Sequence, residues 1–345
     1  MTSLCKLGLV HAPAGTAYYD DYHRQGLRAI GAPCQTLLHN AHFPHQDLVM
    51  QISDIQLAYP VPMQLGECPL WHPQENQLYW IDIDGCAVHR LALQNNMHQS
   101  WAMPSEPGAI AWCASGGMLV ALRTGIHMLD TATGSLSLIA PPPYDPARER
   151  FNDGRCDAAG RLWIGTLYEP RDQPNAALYA LERGALRDSG IRATVSNGVA
   201  FSPDNRVIYH SDTTSHRISA YPFDLQSGAL GAGRVLQQFS TERNAQYGGR
   251  PDGAAVDAEG NYWCAMYEGG RLLQLSPSGT ILREILLPVR CPTMVTFGGN
   301  DLRTLYITTV SSKRSAEELK AHPHSGCLLS LRVDVPGLPE HPYIP

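Results

Sequence analysis

Short apolar segments rich in Val, Ile, Tyr and Trp recur through the chain after residue 50, and each is bounded by Gly, Asp or Pro. Segments of this length and composition, ended by turn residues, are typical of β-strands. Six stretches pair one such segment with a second just downstream, and they begin at Leu78, Met118, Arg161, Val207, Asn261 and Thr304. The repeat is therefore about 45 residues long, with four strands in each unit. This spacing predicts an all-β fold, a six-bladed β-propeller.

A second regularity precedes each stretch: a polar residue beside Gly or Pro leads into a further short apolar strand. In "GGRPDGAAVD", residues 248–257, Asp252 stands between a proline and a glycine, which predicts a loop that leads into a strand. The first strand of a propeller blade lines the central channel, so the loops before these strands should meet at one mouth. The polar residues predicted to meet there are Glu67, Asn152, Asn197 and Asp252.

These residues allow two interpretations. Asn and Asp beside Gly are common in turns, where the side chain bonds to its own backbone. Their equivalent positions in different blades, beside Arg150, favour a shared site instead. The carboxylates of Glu67 and Asp252 and the amide oxygen of Asn197 are hard donors that suit Ca²⁺, Mg²⁺ or Mn²⁺, with Zn²⁺ and Fe²⁺ less expected without His or Cys. Arg150 and Asn152 would add donors and an acceptor for a polyhydroxylated ligand.

Composition narrows the class of protein. The chain has 345 residues, 43% hydrophobic and 17% charged, as expected for a globular protein. The net charge of −6 argues against nucleic acid as a partner, and no apolar stretch approaches the ~20 residues of a membrane helix. Nine cysteines are scattered without a C-x-x-C pair, which favours a reducing cytoplasm over a disulfide framework or structural zinc. We expect a cytoplasmic monomer or small homo-oligomer.

Residues 1–49 differ from the rest because they lack the alternating strands. We expect residues 50–345 to form the propeller domain, since "MQISDIQLAYPVPMQLGECPLW" begins at Met50 like the start of a domain. Residues 1–49 are then a poorly ordered N-terminal extension, or a stretch upstream of the natural start codon.

Several motifs in fixed order resemble those of a known family. They are "LGECPLW", "LYWIDI", "RFNDGRCDAAGRLWIGT", "SNGVAFSPD", "RPDGAAVDAEGNYW", "GGRLLQLSPSG" and "FGGNDLRTLYITT". From about residue 60 to 335 the chain resembles the regucalcin/gluconolactonase family of sugar lactonases. The resemblance implies a six-bladed propeller that binds one divalent cation in its channel. Ca²⁺ is the cation that we expect there. The resemblance also implies that Glu67, Asn197 and Asp252 are the metal ligands, that Arg150 and Asn152 contact the substrate, and that Asp252 is the general base.

Two positions depart from the family. Cys68 stands where the family usually has Gly, and Glu169 in "GTLYEP" lies one position short of a family glutamate that holds the sugar, so no role is carried over to it. The expected function is metal-dependent hydrolysis of an aldonolactone, such as gluconolactone or a pentonolactone, to the aldonic acid. The alternatives are an organophosphate or aryl-ester hydrolase on the same scaffold and a non-catalytic calcium-binding propeller.

Overall fold

The computed structural model describes residues 49–50 and 54–345, and these residues form 26 β-strands and one short helix, α1 (Ala316–Ala321). Within that part of the chain no helix has the length and apolar character needed to cross a membrane. The strands form six sheets, so the predicted six-bladed β-propeller is confirmed. The expected extension, residues 1–49, lies outside the described residues except for Val49.

The strands follow one another blade by blade. Two precede the first blade: β1 (Val49–Met50) and β2 (Gln56–Tyr59). Blade 1 comprises β3 (Gly66–His72), β4 (Gln77–Asp82), β5 (Ala87–Ala92) and β6 (Met97–Ala102). Blade 2 comprises β7 (Pro107–Trp112), β8 (Met118–Leu122), β9 (Gly125–Leu129) and β10 (Leu136–Ala140). Blade 3 comprises β11 (Glu149–Cys156), β12 (Leu162–Tyr168), β13 (Ala176–Glu182) and β14 (Ala185–Ala193).

The second half of the ring is built in the same way. Blade 4 comprises β15 (Ser196–Phe201), β16 (Val207–Asp212), β17 (Arg217–Asp224), β18 (Ala229–Leu230) and β19 (Arg234–Gln238). Blade 5 comprises β20 (Arg250–Val256), β21 (Tyr262–Tyr267), β22 (Arg271–Leu275) and β23 (Ile281–Leu286). Blade 6 comprises β24 (Pro292–Gly298), β25 (Thr304–Thr309) and β26 (Leu328–Arg332). Each of the six predicted repeat starts lies within one residue of the first residue of a blade's second strand.

The outer strand of blade 6 is β2, which precedes blade 1 in the sequence. The antiparallel pairing of β2 with β26 joins Gln56 to Ser330 and Leu57 to Leu329. This sheet therefore combines a strand that precedes blade 1 with the last strand of the chain, and the pairing closes the ring. β1 runs parallel to β23 in the same way, on the edge of blade 5.

Aromatic residues at matching positions fill the blades. Trp163 and Trp263, in the second strands of blades 3 and 5, are at most 1% exposed. Each donates its indole N–H over 2.8 Å to the carboxylate of an aspartate six residues earlier, Asp157 or Asp257. The same aspartates accept backbone N–H groups of the turn that joins the first and second strands. The repeated D-A-x-G sequence thus forms both the turn and a buried hydrogen bond for the tryptophan.

The C-terminal segment covers one end of the channel. The Tyr343 N–H donates to the carbonyl of Trp112, and the Trp112 indole donates to the carbonyl of Glu340. The Glu340 carboxylate pairs with Arg155 and accepts from the Thr296 hydroxyl. These partners lie in blades 2, 3 and 6, towards the C-terminal ends of the inner strands. The N-terminal ends of those strands surround the opposite end of the channel.

Candidate functional site

One cavity at the N-terminal ends of the inner strands brings all five predicted site residues together. It measures about 540 Å³, within the range of small-molecule sites. The predicted residues that line it are Glu67, Arg150, Asn152, Asn197 and Asp252. Four of them are at most 9% exposed, and Glu67 is partly exposed to the cavity.

The prediction that these residues stand in loops before the strands is wrong. Glu67 is the second residue of β3, Asn197 is the second of β15, and Asp252 is the third of β20. The inner strands carry β-bulges at this level, and the relevant register shifts are Glu67–Leu70, Phe151–Gly154, Asn197–Ala200 and Pro251–Ala254. A bulge bends the strand and re-aims its side chains. The same irregularity in four blades therefore directs polar side chains to one place.

A chain of hydrogen bonds links three blades at this site. Arg150 Nη1 donates over 2.8 Å to Asn152 Oδ1, and Asn152 Nδ2 donates over 2.7 Å to Asn197 Oδ1. Asn197 Nδ2 donates over 2.7 Å to the Thr213 hydroxyl, which donates over 2.8 Å to the carbonyl of Pro251. Because the Thr213 proton is used on Pro251, its oxygen must accept from Asn197. This requirement fixes the orientation of the Asn197 amide, with Oδ1 on the side of Asn152.

Several polar atoms at the site keep unused bonding capacity. The Asp252 carboxylate accepts no hydrogen bond from any residue that the structure describes. Among the described residues, Asn152 alone donates to Asn197 Oδ1, which leaves one lone pair of that oxygen unused. A buried carboxylate without donors is costly unless a cation or a proton balances it.

The raised pKa values of the Asp252 and Glu67 carboxyl groups also indicate uncompensated negative charge at this site. Burial raises the pKa of Asp252 to about 8, although Arg250 opposes the shift. Burial, followed by the negative charges of Asp252 and Asp153, holds the pKa of Glu67 well above its ordinary value. Two desolvated carboxylates that repel each other, beside an amide oxygen with an unused lone pair, fit an oxygen-preferring divalent cation. In the described part of the chain no three His, Cys, Asp or Glu side chains form a metal-binding group. A cation between Glu67 and Asp252 would therefore take the amide oxygen of Asn197 as a further ligand.

Comparison with known proteins identifies the family of this propeller. The model of the SMP-30/Gluconolactonase/LRE-like region matches residues 65–311, which include all five site residues. The chain belongs to the SMP-30/gluconolactonase family. It is 47% identical over 283 residues to a 6-deoxy-6-sulfogluconolactonase of Pseudomonas putida, covering 81% of this chain and 94% of that protein.

More distant family members agree in fold. The chain is 30% identical over 289 residues to regucalcin of Gallus gallus, covering 81% of this chain and 95% of that one. The crystal structure of regucalcin, a calcium-binding protein from Agrobacterium tumefaciens, superposes with a TM-score of 0.81 at 28% identity, covering 86% and 99% of the two chains. The resemblance stated from the motifs is therefore confirmed, and so is the propeller architecture.

Cys68, the departure from the family's usual glycine, occupies a backbone conformation that favours glycine. Its φ is +44°, in the left-handed region, and the corresponding residue of blade 4, Gly198, has a φ of +60°. A Cβ at Gly198 would lie 2.2 Å from the Tyr262 hydroxyl and 2.3 Å from that of Ser211, so only glycine fits there. Blade 1 accommodates the thiol, which accepts the N–H of Ile110 at 3.3 Å. Burial raises the pKa of Cys68, so the thiol is neutral and acts as a packing group.

Asp153 is a site residue that sequence reasoning missed. It follows Asn152 in the bulge of β11, and its Oδ2 accepts the N–H of Val199 in the next blade at 2.9 Å. Its Oδ1 is buried and has no hydrogen-bond partner within the described part of the chain, and burial raises the pKa of Asp153 to about 6. Strict strand alternation would direct Asp153 away from Asn152, and only the bulge places its charge near Glu67. The available hint was the D-G dipeptide that Asp153 forms with Gly154, directly after Asn152.

A second cavity, at the end of the channel covered by the C-terminal segment, does not gather these groups. It measures about 690 Å³ and is lined mainly by apolar residues and by backbone. Its acidic side chain, Glu340, is already paired with Arg155. The predicted site residues therefore lie in the cavity at the opposite end of the channel.

Proposed function

We propose that this chain is a metal-dependent lactonase that hydrolyses an aldonolactone to the aldonic acid. The observation that carries the proposal is the buried Asp252 carboxylate, which accepts no hydrogen bond from the described residues. It lies in one cavity with Glu67, Asn197, Arg150 and Asn152. Gluconolactone and the pentonolactones belong to the expected class, and so does the sulfonated gluconolactone named for the Pseudomonas putida relative.

Glu67, Asn197 and Asp252 would hold the cation. A bound divalent cation would supply a Lewis acid that polarises the lactone carbonyl and stabilises negative charge on its oxygen. The hydrogen bonds through Asn152 and Thr213 hold Asn197 in the orientation that presents its oxygen. The three residues belong to blades 1, 4 and 5, so the site depends on closure of the ring.

Arg150 and Asn152 would orient the sugar. Arg150 uses Nη1 for protein contacts, to Asn152 Oδ1 and the carbonyl of Phe151, and no described residue accepts from its Nε or Nη2. Those donors remain for the hydroxyl or carbonyl oxygens of a ligand. Positioning of this kind converts binding into a favourable geometry for attack.

Asp252 would act as the general base. A water oxygen attacks the carbonyl carbon while the carboxylate takes a proton from that water. The bond between the carbonyl carbon and the ring oxygen then breaks, and the proton passes from Asp252 to the departing ring oxygen. The products are one carboxylate and one hydroxyl on the opened sugar acid, with release of a proton to solvent.

The decisive experiment measures lactone hydrolysis by acid release. Metal-stripped protein is supplied with Ca²⁺, Mg²⁺, Mn²⁺, Zn²⁺ or Fe²⁺ singly, and each rate is compared with the spontaneous rate. The panel contains five- and six-carbon aldonolactones, one aryl ester and one organophosphate. We expect restored turnover of an aldonolactone. A preference for the aryl ester or organophosphate would replace the proposed substrate class, and metal binding without any turnover would identify a non-catalytic calcium-binding propeller.

A further inference from the structure

A wide vestibule above the metal-site cavity is strongly cationic. It measures about 1,090 Å³ and shares several lining residues with the cavity below. Its cationic side chains are Arg123, Arg150, Arg171, Arg250, Lys313 and Arg314. Its acidic side chains are Asp84, Glu106 and Glu169. The vestibule thus has an excess of three positive charges, although the whole chain has a net charge of −6.

All three acidic side chains are already paired with two of the cations. Arg123 contacts Glu106 at 2.9 Å and Glu169 at 2.6 Å, so Glu169 serves as an ion-pair partner at the rim. Lys313 Nζ lies 3.2 Å from Asp84 Oδ2. The positive excess therefore resides on the remaining arginines.

Arg250 is one cation that is poorly neutralised. It begins β20, and its guanidinium carbon lies 5.0 Å from the centre of the Tyr267 ring. Its contact with Glu268 Oε2 is 3.5 Å long, and the same oxygen lies closer, at 3.0 Å, to Arg243. Its Nε is buried, and no residue that the structure describes accepts a hydrogen bond from it. Arg250 therefore keeps both charge and donor capacity at the cavity.

Arg314 also contacts this aromatic ring. Its guanidinium carbon is 5.9 Å from the centre of Tyr267, and its Nη2 is 3.5 Å from the tyrosine hydroxyl. Its carboxylate neighbour, Glu318, is 3.8 Å away and lies closer, at 2.8 Å, to Arg290. The Arg314 side chain is only 13% exposed. Each guanidinium nitrogen makes one long hydrogen bond, Nε to the Ser312 carbonyl at 3.3 Å, Nη1 to Cys291 Sγ at 3.4 Å and Nη2 to Tyr267. Two of the five N–H donors therefore have no hydrogen bond to the described residues and could bind an added anion.

Arg171 completes the group from blade 3. It follows β12, has a left-handed φ of +56°, and makes no ion pair with any carboxylate that the structure describes. It lines both the cavity and the vestibule, and its charge opposes the rise in the pKa of Asp252. Arg171 therefore stands at the junction between the metal site and the vestibule.

We propose that Arg171, Arg250 and Arg314 bind a tetrahedral oxyanion, a sulfonate or a phosphate, at the end of the lactone substrate remote from its ring carbonyl. This inference rests on the proposed lactonase function, and it names the class of aldonolactone: one that carries a permanent negative charge. Planar guanidinium groups match the oxygens of such anions, and a cationic opening concentrates anionic ligands at its mouth. The lactone end then reaches Glu67 and Asp252.

The test measures binding of product acids, which does not depend on turnover. Calorimetric titration of the metal-loaded protein compares 6-deoxy-6-sulfogluconate, 6-phosphogluconate and gluconate. We expect one of the charged acids to bind at least ~10-fold more tightly than gluconate, and the tighter of the two identifies the anion. In Arg171→Gln and in Arg314→Gln, the ratio of the charged-acid affinity to the gluconate affinity should fall about 10-fold, the loss expected for a charge-assisted hydrogen bond.

Lys313→Gln is the matched control. It removes one positive charge from the same vestibule, but at a residue already paired with Asp84 and outside the metal-site cavity. The affinity ratio should stay within twofold of the wild-type value. Equal affinity for all three acids, or an equal fall in Lys313→Gln, would overturn the anion site. Absence of any lactone hydrolysis with the affinity ratios as expected would overturn the proposed lactonase and leave the anion site supported.

Discussion

Asn152 donates a 2.7 Å hydrogen bond to Asn197, a residue 45 positions later in the next blade. Asn152 is a proposed substrate contact and Asn197 a proposed metal ligand, so the bond joins the two proposed roles. Thr213 holds the other end of the Asn197 amide and in turn donates to the carbonyl of Pro251, next to Asp252. Hydrogen bonds therefore connect the proposed substrate contacts, the proposed metal ligand and the residue next to the proposed base.

Thr213 is the residue whose replacement tests this connection. Thr213→Val keeps the shape but leaves Asn197 Nδ2 and the Pro251 carbonyl without partners, at a cost of about 1–3 kcal/mol in unfolding free energy. We expect weaker metal activation and a roughly tenfold lower kcat/KM. Thr213→Ser retains the hydroxyl and should restore both values. Equal behaviour of the two variants in a metal titration would contradict a positioning role.

Asp252→Asn removes the proposed base with almost no change in volume. Loss of general-base catalysis costs about 10²–10⁴-fold in rate, so kcat should fall by at least ~100-fold. Binding of the product acid should persist, because the asparagine retains one oxygen. Initial rates at saturating cation test this expectation, and wild-type turnover in the metal-bound variant would rule out the mechanism.

Arg150→Ala tests the role of the guanidinium in substrate binding. Removing charge-assisted hydrogen bonds to a ligand weakens binding by about 1.5–3 kcal/mol. We expect KM to rise at least ~10-fold with a smaller change in kcat. Arg192→Ala, at an exposed ion pair with Asp188, is the control and should leave both constants unchanged. A fall in kcat alone would place Arg150 in the chemical step instead.

Glu67→Gln should change stability in opposite directions with and without metal. In metal-free protein the raised pKa means that ionised Glu67 is disfavoured in the folded state, so the neutral glutamine should stabilise it. A cation at 100 times its dissociation constant adds about 2.7 kcal/mol to the wild type, and the variant should gain much less. Melting curves with chelator and with Ca²⁺ measure both. Identical metal-induced shifts would exclude Glu67 as a ligand.

His210 should make stability depend on pH. It is buried against the Ser196 hydroxyl at 2.8 Å, and burial lowers its pKa to about 4. The unfolded state, with an ordinary pKa of about 6.5, binds the proton first, so stability is complete above pH 6.5 and is lost as the pH falls towards 4. The loss approaches about 3 kcal/mol. Urea unfolding measures the free energy of unfolding between pH 4 and 7, and in His210→Gln its fall should be smaller by this amount. The same fall in wild type and variant would contradict the role given to His210.

The positions of the site residues could be predicted from the sequence because each repeat is specified by residues within one blade. Strand periodicity, turn residues and the 45-residue spacing all act within one blade, so they identified the second strands to within one residue. The same spacing aligned Glu67, Asn197 and Asp252 at equivalent points of three blades. Hydrophobic burial imposes that regularity on each unit separately.

Contacts between blades could not be obtained in this way. Asp153 enters the site through a bulge that periodicity does not reveal, and Thr213 reaches Asn197 and Pro251 only after strands pair and blades pack. The pairing of β2 with β26, which closes the ring, joins segments more than 260 residues apart.

The sequence by itself determined the number of blades, the strands that line the channel and the oxygen-rich chemistry at one end of it. Only the tertiary structure decided that Arg171, Arg250 and Arg314 share one vestibule and which of its cations have close carboxylate partners. Periodic burial is a local requirement that each repeat satisfies on its own. Charge pairing across the mouth depends on distances between side chains from separate blades, and these are set only when the ring closes.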